Sequence, residues 1–355
     1  MKIVITGVCG FAGRNLAQCL LENTEGLSIW GVDNLMRAGS ETNRLRLKRL
    51  GVHVIHGDLR NVSDLEALPK ADWVIDAAAS PSVLAGVEGA GTSRQLFEHN
   101  LASLVNVLEY SKTHGAGLML LSTSRVYSIA ALASLPLETE DHAFRLDDSK
   151  VLPHGVSACG IDPDFSTEPP ISLYGSTKLA SEKLALEYGM AFGFPVWIDR
   201  CGVLAGAGQF GTPDQGIFSY WINAHLRRRP LRYIGFGGTG YQVRDAFHPR
   251  DLAALLRAQM SDSRVGGRRT YTVGGGPASA MSLAQLTRWC DARFGHHQPQ
   301  AEERPRRYDV PWVVMDSRHV ANDFGWRCTR PLPHILEEIA SHAEQHPEWL
   351  ELSGA

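Results

Sequence analysis

Two patterns alternate through residues 1–125, and this alternation limits the fold more than any other feature of the sequence. Short apolar runs such as "KIVIT", "LSIWGVDN", "DWVIDAAA" and "GLMLLSTS" are separated by segments whose apolar residues recur at helical spacing. Continuous apolar strands that alternate with helices are typical of a parallel sheet covered by helices on both faces. The sequence therefore predicts an α/β fold built on a doubly wound parallel sheet.

The segment "TGVCGFAG" lies between the first apolar run and the first helix. Its glycines, Gly7, Gly10 and Gly13, permit a tight turn and close approach of a ligand, and the helix N-terminus can receive a pyrophosphate. Asp33 ends the second strand, about 20 residues further on, where a carboxylate binds ribose hydroxyls and repels a 2′-phosphate. The alternative is an ordinary turn and a surface acid. We predict that the cofactor is NAD, and NADP stays as the alternative because of the nearby Arg37.

Three further features lie where a dinucleotide held by this turn would extend. Asp58 follows the third strand and is expected to reach the adenine amino group. The small side chains of Ala77, Ala78 and Ala79, after the fourth strand, would let a cofactor lie along the backbone; plain close packing is the alternative. Asn100 lies within an apolar helix, and a buried amide must be hydrogen-bonded. It either contacts the cofactor or ties strands together.

The segment "SLYGSTKLASEK" places Tyr174 and Lys178 one helical turn apart, a spacing that also arises often by chance. Ser122, Thr123 and Ser124 end the fifth strand, and ligands of parallel sheets bind at the carboxyl ends of strands. A free tyrosine has a pKa of about 10, but a nearby lysine and a positive nicotinamide favour its phenolate. Such a phenolate can remove a proton from a sugar hydroxyl while hydride leaves for NAD, with Thr123 sharing the hydrogen bond.

Charge and composition exclude several classes of protein. Lys plus Arg is 35 and Asp plus Glu is 38, which argues against a nucleic-acid or anionic-membrane partner. No apolar run approaches the roughly 18 residues that span a bilayer, and "MKIVITG" enters a strand without the pattern of a signal peptide. The six cysteines show no C-x-x-C spacing, so neither a metal site nor a disulfide framework is predicted. We expect a cytoplasmic protein.

The alternation of strands and helices is interrupted at residues 130–171, which are rich in Pro, Asp, Ser and Gly. Because long loops are usually functional or disordered, we predict a lid over the active face. Glycine-rich loops and shorter elements follow later in the chain. The predicted division is a cofactor-binding domain over 1–200, to which 240–260 returns, and a smaller mixed α/β substrate domain over 201–239 and 261–355.

These motifs together resemble the extended short-chain dehydrogenase/reductase superfamily, in its NAD-dependent epimerase/dehydratase branch. The resemblance covers nearly the whole chain, through "TGVCGFAG", "GDLRN", "STSRVY", "YGSTK" and "GYQVRDAFHPRDL". Within the branch, the chain is most similar to the CDP-paratose 2-epimerase family. Both have a basic residue within "STSRVY", a long insertion before "SLYGSTK", and the run "RCGVLAGAGQFGTPDQG".

The resemblance implies a Rossmann-type sheet of about seven strands, a tightly held NAD, and a nucleotide-diphosphate sugar in the cleft beneath the smaller domain. It also implies a homodimer formed through two helices, which begin near Arg94 and Tyr174. Tyr174 is then the base, Lys178 its partner and Thr123 the hydroxyl contact, while Arg244 and Arg306 hold the diphosphate. By match of motif, further cofactor contacts are predicted at Phe11, Ala12, Asn34, Leu59, Ser122 and Cys201, and further substrate contacts at Ser124, Arg125 and Gln209.

The chain also departs from the pattern of the branch. Dehydratases of the branch carry Asp-Glu directly after the threonine, and its decarboxylases also place a glutamate there. This chain has Ser124 and Arg125, which disfavours both reactions. Asp76 stands where many relatives have histidine, and Ser128 replaces a glycine. The predicted activity is epimerisation of a nucleotide sugar at C2 by transient oxidation and re-reduction. A 4-epimerase, another NAD-dependent nucleotide-sugar enzyme and a noncatalytic NAD-binding protein are the alternatives.

Overall fold

The computed structural model describes residues 1–87, 91–264 and 266–355. The strands are β1 Lys2–Thr6, β2 Ser28–Asp33, β3 His53–His56, β4 Trp73–Asp76, β5 Gly117–Thr123, β6 Leu137–Glu140, β7 Ala143–Leu146, β8 Val156–Ser157, β9 Gly160–Ile161, β10 Val196–Cys201, β11 Val203–Leu204, β12 Arg232–Ile234, β13 Val243–Phe247, β14 Thr270–Val273, β15 Ala280–Ser282, β16 Gln300–Glu302 and β17 Trp312–Val313.

The α-helices are α1 Phe11–Asn23, α2 Glu41–Arg49, α3 Val62–Glu66, α4 Ser93–Phe97, α5 Ser103–His114, α6 Ile129–Ala133, α7 Ser172–Phe192, α8 Ile217–Leu226, α9 Pro249–Met260, α10 Leu283–Phe294, α11 Arg318–Phe324, α12 Leu332–Gln345 and α13 Trp349–Ser353. A π-helical segment, Glu98–Ala102, joins α4 to α5, and a 3-10 turn, Ser124–Val126, follows β5. No helix in these described ranges is long and apolar enough to cross a membrane.

The central sheet has seven strands in the order β14-β10-β5-β4-β1-β2-β3. All neighbouring pairs are parallel, and the predicted doubly wound sheet of about seven strands is confirmed. The chain passes from β1 to β2 on one side and later returns to place β4 on the other side. The turn after β1 therefore lies at the switch point of the sheet, where such folds bind their ligands.

Alternate side chains of each strand pack into two different cores, as the pleat of a strand requires. Ile3 and Ile5 face a core built with α1 and α9. Val4, between them, faces a second core built with α5 and α7. This explains why β1 has no polar face and reads as a continuous apolar run.

The predicted domain division differs from the structure at two places. The seventh strand, β14, lies within the range 261–355 but joins the central sheet, because it extends the β10 edge in parallel register. Strand β13 lies within 240–260 but pairs instead with β11, β15 and β17 in a four-stranded sheet. Helix α9, in the same range, does pack against α1 of the first core.

The insertion at residues 130–171 is built from α6 and two short hairpins, β6–β7 and β8–β9. It packs against the smaller region: the Phe144 N–H donates to the Tyr241 carbonyl at 2.9 Å, and the Ile161 N–H donates to the Val314 carbonyl at 2.8 Å. Its apolar residues share one hydrophobic core with β13 and β17. The insertion is therefore packed onto the smaller region and shares its core.

Candidate active site

The turn after β1 needs glycine because backbone segments approach one another closely there. Gly7 has φ +63°, and a Cβ at this position would lie 2.8 Å from the Cα of Ala78. A Cβ on Gly13 would lie 2.3 Å from the carbonyl oxygen of Gly7. Gly10 precedes α1, no side chain caps that helix, and Phe11 and Ala12 are its first residues. The backbone N–H groups of this N-terminus can thus receive a pyrophosphate.

Asp33 lies at the carboxyl end of β2, beside this turn. Its carboxylate accepts hydrogen bonds from the backbone N–H groups of Cys9 and Leu35, both at 2.8 Å. Burial raises the pKa of Asp33, and these backbone hydrogen bonds oppose that rise. A carboxylate has about four lone-pair sites, so two contacts leave acceptor capacity for ribose hydroxyls. The guanidinium of Arg37 donates to Gln215 and to the Phe210 carbonyl, which directs it toward the smaller region.

The predicted adenine and backbone contacts lie at the ends of β3 and β4. Asp58 accepts two hydrogen bonds from the Arg60 guanidinium, which lowers the pKa of Asp58 to about 2. The Leu59 carbonyl accepts a hydrogen bond from an asparagine of α5. Asn34, after β2, accepts a hydrogen bond from the N–H two residues on. The N–H groups of Ala77 and Ala78 each donate to the hydroxyl of Thr6 at 3.1 Å, and Ala79 follows in the same loop.

Asn100 connects the loop after β4 to α7. Its amide oxygen accepts from the Ser80 N–H at 2.7 Å, and its amide nitrogen donates to the Ser80 carbonyl and to Thr177 Oγ1. These three contacts support the structural alternative considered for this residue. Through Thr177, which directly precedes Lys178, they also connect α7 to the loop after β4.

Tyr174 lies in the first turn of α7, is 6% exposed, and packs against Val83 and Tyr308. Burial raises the pKa of Tyr174 to about 12, while a hydrogen bond with Thr123 and the charge of Arg125 lower it. The end of β5 and the start of α7 thus meet as the sequence suggested.

Lys178 is 3% exposed, one turn further along α7. Burial lowers the pKa of Lys178, while the carboxylates of Asp76 and Glu182 raise it. Asp76 is itself buried, and its carboxylate accepts a hydrogen bond from the Thr6 hydroxyl at 2.6 Å. In the sequence, Asp76 is marked only by its departure from the branch pattern. The available signal is a carboxylate that ends a buried apolar run.

Two predicted cofactor contacts lie beneath these side chains. The Ser122 hydroxyl donates to Glu182 in the interior, so its side chain is bound to α7. Cys201 is the register partner of Thr123 on the neighbouring strand, and burial raises the pKa of its thiol. The buried ion pair between Glu182 and Arg200 was not predicted, because it has no local sequence signature.

Three arginines, Arg125, Arg244 and Arg306, lie close enough together to lower one another's pKa or that of a neighbour. Arg244 donates to Asp309 at 2.9 Å, and Arg306 donates to Asp214. Burial and the charges of Arg244 and Arg306 together lower the pKa of Arg125 to about 10, while the charge of Asp309 opposes this change. Guanidinium groups bind phosphates in bidentate fashion. This arrangement therefore fits a diphosphate.

The other predicted substrate residues lie in neighbouring loops. Ser124 opens the 3-10 turn after β5. The Gln209 amide nitrogen donates to the Leu204 carbonyl at 2.8 Å. The amide oxygen of Gln209 is buried without a hydrogen-bond partner among the described residues.

A cavity of about 630 Å³ opens on the flank of α7, away from these residues. The charged groups that line it include two ion pairs, Arg200 with Glu182 and Arg268 with Asp164. It contains none of the predicted site residues, and we assign no function to it.

Comparison with known proteins agrees with this geometry. The model of the NAD dependent epimerase/dehydratase family matches residues 3–274. The chain belongs to this family. Its cofactor is accordingly NAD, and the glycine turn and the free acceptor capacity of Asp33 fit that dinucleotide. A noncatalytic NAD-binding protein is not supported, because the relatives described below are enzymes, and both are epimerases.

Two curated relatives cover nearly the whole chain. CDP-paratose 2-epimerase from Salmonella typhi is 28% identical over 336 residues, which are 92% of this chain and 94% of that protein. UDP-glucose 4-epimerase from Corynebacterium glutamicum is 25% identical over 92% of this chain and 90% of that protein. Among solved structures, UDP-glucuronic acid 4-epimerase from Bacillus cereus, in complex with UDP-glucuronic acid and NAD, superposes with a TM-score of 0.77. It is 22% identical and covers 97% of this chain and 99% of that chain, so this likeness concerns the fold.

Proposed function

We propose that the protein is a nucleotide-sugar epimerase that inverts one ring carbon by transient oxidation and re-reduction. The observation that carries the proposal is that Thr123, at the carboxyl end of β5, and Tyr174, in the first turn of α7, lie close enough for Thr123 to lower the pKa of Tyr174, on the edge of the sheet that also carries the glycine turn. The three arginines beside it supply the diphosphate contacts that a nucleotide sugar needs.

NAD supplies the acceptor and later the donor of the hydride. The chain's own residues handle the proton. In the oxidising half, the phenolate of Tyr174 accepts the proton of the sugar hydroxyl while the carbon-bound hydrogen leaves with its electron pair, and a ketosugar results. After the sugar turns over in the cleft, Tyr174 returns the proton to the oxygen and hydride returns to the other face. The net reaction consumes neither oxidant nor reductant.

We propose C2 as the inverted carbon, supported by the likeness to CDP-paratose 2-epimerase. The presence of Ser124 and Arg125 after Thr123, without a carboxylate, favours epimerisation over elimination of water. Inversion at C4 is the second candidate, favoured by the likeness to UDP-glucose 4-epimerase. One of these relatives is named for a CDP-sugar and the other for a UDP-sugar, so both CDP and UDP are candidates for the nucleotide of the substrate.

NMR on a panel of CDP- and UDP-linked sugars tests both carbons. We expect one ring proton to change its coupling pattern, at C2 under the main proposal and at C4 under the second. Substrate deuterated at the inverted carbon should retain its label, because the hydride returns within the site. Tyr174→Phe should abolish turnover while NAD remains bound. Loss of the label to solvent, or full activity of Tyr174→Phe, would refute the mechanism.

We also propose a cytoplasmic homodimer. All six cysteines are free, which supports a reducing compartment. Phe97 at the end of α4 and Met190 and Phe192 at the end of α7 are 41%, 71% and 49% exposed. They lie on the two helices predicted to pair between subunits, and buried apolar area stabilises such contacts. Light scattering on the purified protein should give twice the mass of the chain, and a monomer would contradict the proposal.

A further inference from the structure

Arg244 is fixed in one orientation by its hydrogen bonds. Its guanidinium donates to the carboxylate of Asp309 at 2.9 Å. It also donates to the backbone carbonyls of Val243 and Val310, at 2.7 Å and 2.8 Å. The side chains of Arg244 and Asp309 are both only 14% exposed. A diphosphate would therefore meet this guanidinium already in place.

Arg306 is held more loosely, and its partners lie in a single segment. Within the described part of the chain, its guanidinium donates to the carboxylate of Asp214 and, at 3.3 Å, to the carbonyl of Pro213. Both acceptors belong to residues 209–216, between β11 and α8. The side chains of Arg306 and Asp214 are 26% and 40% exposed. Ion pairs with this much exposure are weak, so another anion can take the place of the carboxylate.

A single turn of the chain brings Arg306 together with two other arginines. The Asp309 N–H donates to the Arg306 carbonyl at 3.3 Å and closes this turn. Inside it, the Tyr308 carbonyl accepts a hydrogen bond from Arg125 at 3.3 Å. The carboxylate that ends the turn binds Arg244. Three guanidinium groups therefore surround one turn, which offers an incoming diphosphate several charged donors.

We propose that Asp214 occupies the position of one substrate phosphate on Arg306, and that the diphosphate of the nucleotide sugar displaces it. This inference rests on the proposed function, and it adds Asp214 to the residues that govern substrate binding. Each phosphate of a nucleotide-sugar diphosphate carries one negative charge. Together with Asp309, the two phosphates neutralise the three arginines, whereas a retained Asp214 would leave an excess of negative charge. Charge balance therefore favours the exchange.

The exchange requires movement of the Arg306 side chain and not of the segment 209–216. That segment is attached elsewhere: the Gln209 carbonyl accepts a hydrogen bond from Trp349 Nε1 at 2.9 Å. The ring of Phe210 stacks on the same indole, with ring centroids 5.1 Å apart. The displaced carboxylate can thus turn to solvent while the segment keeps its place.

Calorimetric titration of UDP and CDP into the NAD-loaded protein tests this competition. Asp214→Asn removes the competing charge and keeps the shape of the side chain, so both nucleotides should bind about two- to fivefold more tightly. Glu303→Gln is the matched control, because Glu303 is an exposed acid in the segment that leads to Arg306. It should leave both affinities unchanged. Uridine and cytidine, which lack phosphate, should not distinguish Asp214→Asn from the wild-type chain. Unchanged binding of UDP and CDP by Asp214→Asn would refute the competition.

The Arg306→Gln background separates competition for one guanidinium from a general effect of charge. Arg306→Gln alone should weaken the binding of both nucleotides. Because Asp214 acts through Arg306 in this proposal, adding Asp214→Asn to Arg306→Gln should bring no gain in affinity. A gain of equal size with and without Arg306 would mean that Asp214 only repels anions, and the proposal would be wrong.

Inorganic pyrophosphate distinguishes failure of this inference from failure of the proposed function. It carries phosphate groups without a nucleoside or a sugar, and Asp214→Asn should tighten its binding to the NAD-loaded protein as well. If UDP and CDP bind to none of these chains, the proposed function fails, and the pyrophosphate titration still decides whether Asp214 competes for Arg306. Equal pyrophosphate affinities of the wild-type chain and Asp214→Asn, or no binding by either, would overturn the inference.

Discussion

Gly7→Ala tests the turn on which cofactor binding depends. A non-glycine residue at φ +63° costs about 1–2 kcal/mol of stability. The new Cβ would also lie 2.8 Å from Ala78 Cα and 3.0 Å from the Ala77 carbonyl oxygen. These are backbone atoms that cannot rotate aside, and such overpacking costs about 1–3 kcal/mol. We expect the free energy of unfolding to fall by roughly 2–5 kcal/mol in total.

Gly193→Ala is the matched control for this prediction. Gly193 has φ +74°, and a Cβ added there would have no neighbouring atom within 4 Å. It should therefore lose only the backbone contribution, about 1–2 kcal/mol. Urea unfolding of both variants, with the NAD content of each purified protein, measures the difference. Equal losses in the two variants, together with full NAD content in Gly7→Ala, would refute the argument that the ends of β1 and β4 meet this closely.

Three further predictions concern buried charges. Burial raises the pKa of Asp199 to about 7, so the folded chain retains a proton that the unfolded chain releases above about pH 4. The free energy of unfolding therefore falls as pH rises from about 4 to about 7. Asp199→Asn should reduce this fall when urea unfolding is measured across that pH range. An unchanged dependence of the free energy of unfolding on pH would be contrary evidence. Arg200→Met leaves the buried carboxylate of Glu182 without its partner and should lower the free energy of unfolding in urea by about 3–5 kcal/mol. Arg232→Met removes one partner of an exposed ion pair and should lower it by about 1 kcal/mol or less. Similar losses in the two variants would contradict the difference in burial. Asp33→Ala removes the acceptor of two backbone N–H groups and should weaken NAD binding about 5- to 100-fold in calorimetric titration, so an unaltered affinity would argue against its role.

The part of the fold that local patterns specify could be predicted from the sequence. Continuous apolar runs identified the central strands, because a strand buried on both faces has no polar side. The glycine turn was recognisable from the strand before it and the helix after it. The meeting of Thr123 and Tyr174 followed from a general rule about the ends of parallel strands.

Contacts between distant segments could not be predicted in the same way. The spacing of Tyr174 and Lys178 places both on one face of α7, but it does not show that Asp76 arrives from β4 beside the lysine. The sequence does not indicate that β14 joins the central sheet, because a short run, "TYTV", carries no information about which sheet edge is free. Arg200 and Glu182 pair across different elements, so neither has a sequence signal.

The shared core beneath the insertion has a consequence for how substrate enters. Leu132 and Phe165 of the insertion pack with Val243 and Trp312 of the smaller region, so hinging the insertion outward would expose this apolar surface to water. Access must then come from elsewhere along the cleft, and amide hydrogens of β7 should exchange with solvent as slowly as those of β13. We therefore expect the insertion to stay in place when substrate binds, so that this side of the cleft should keep its width during the proposed reaction.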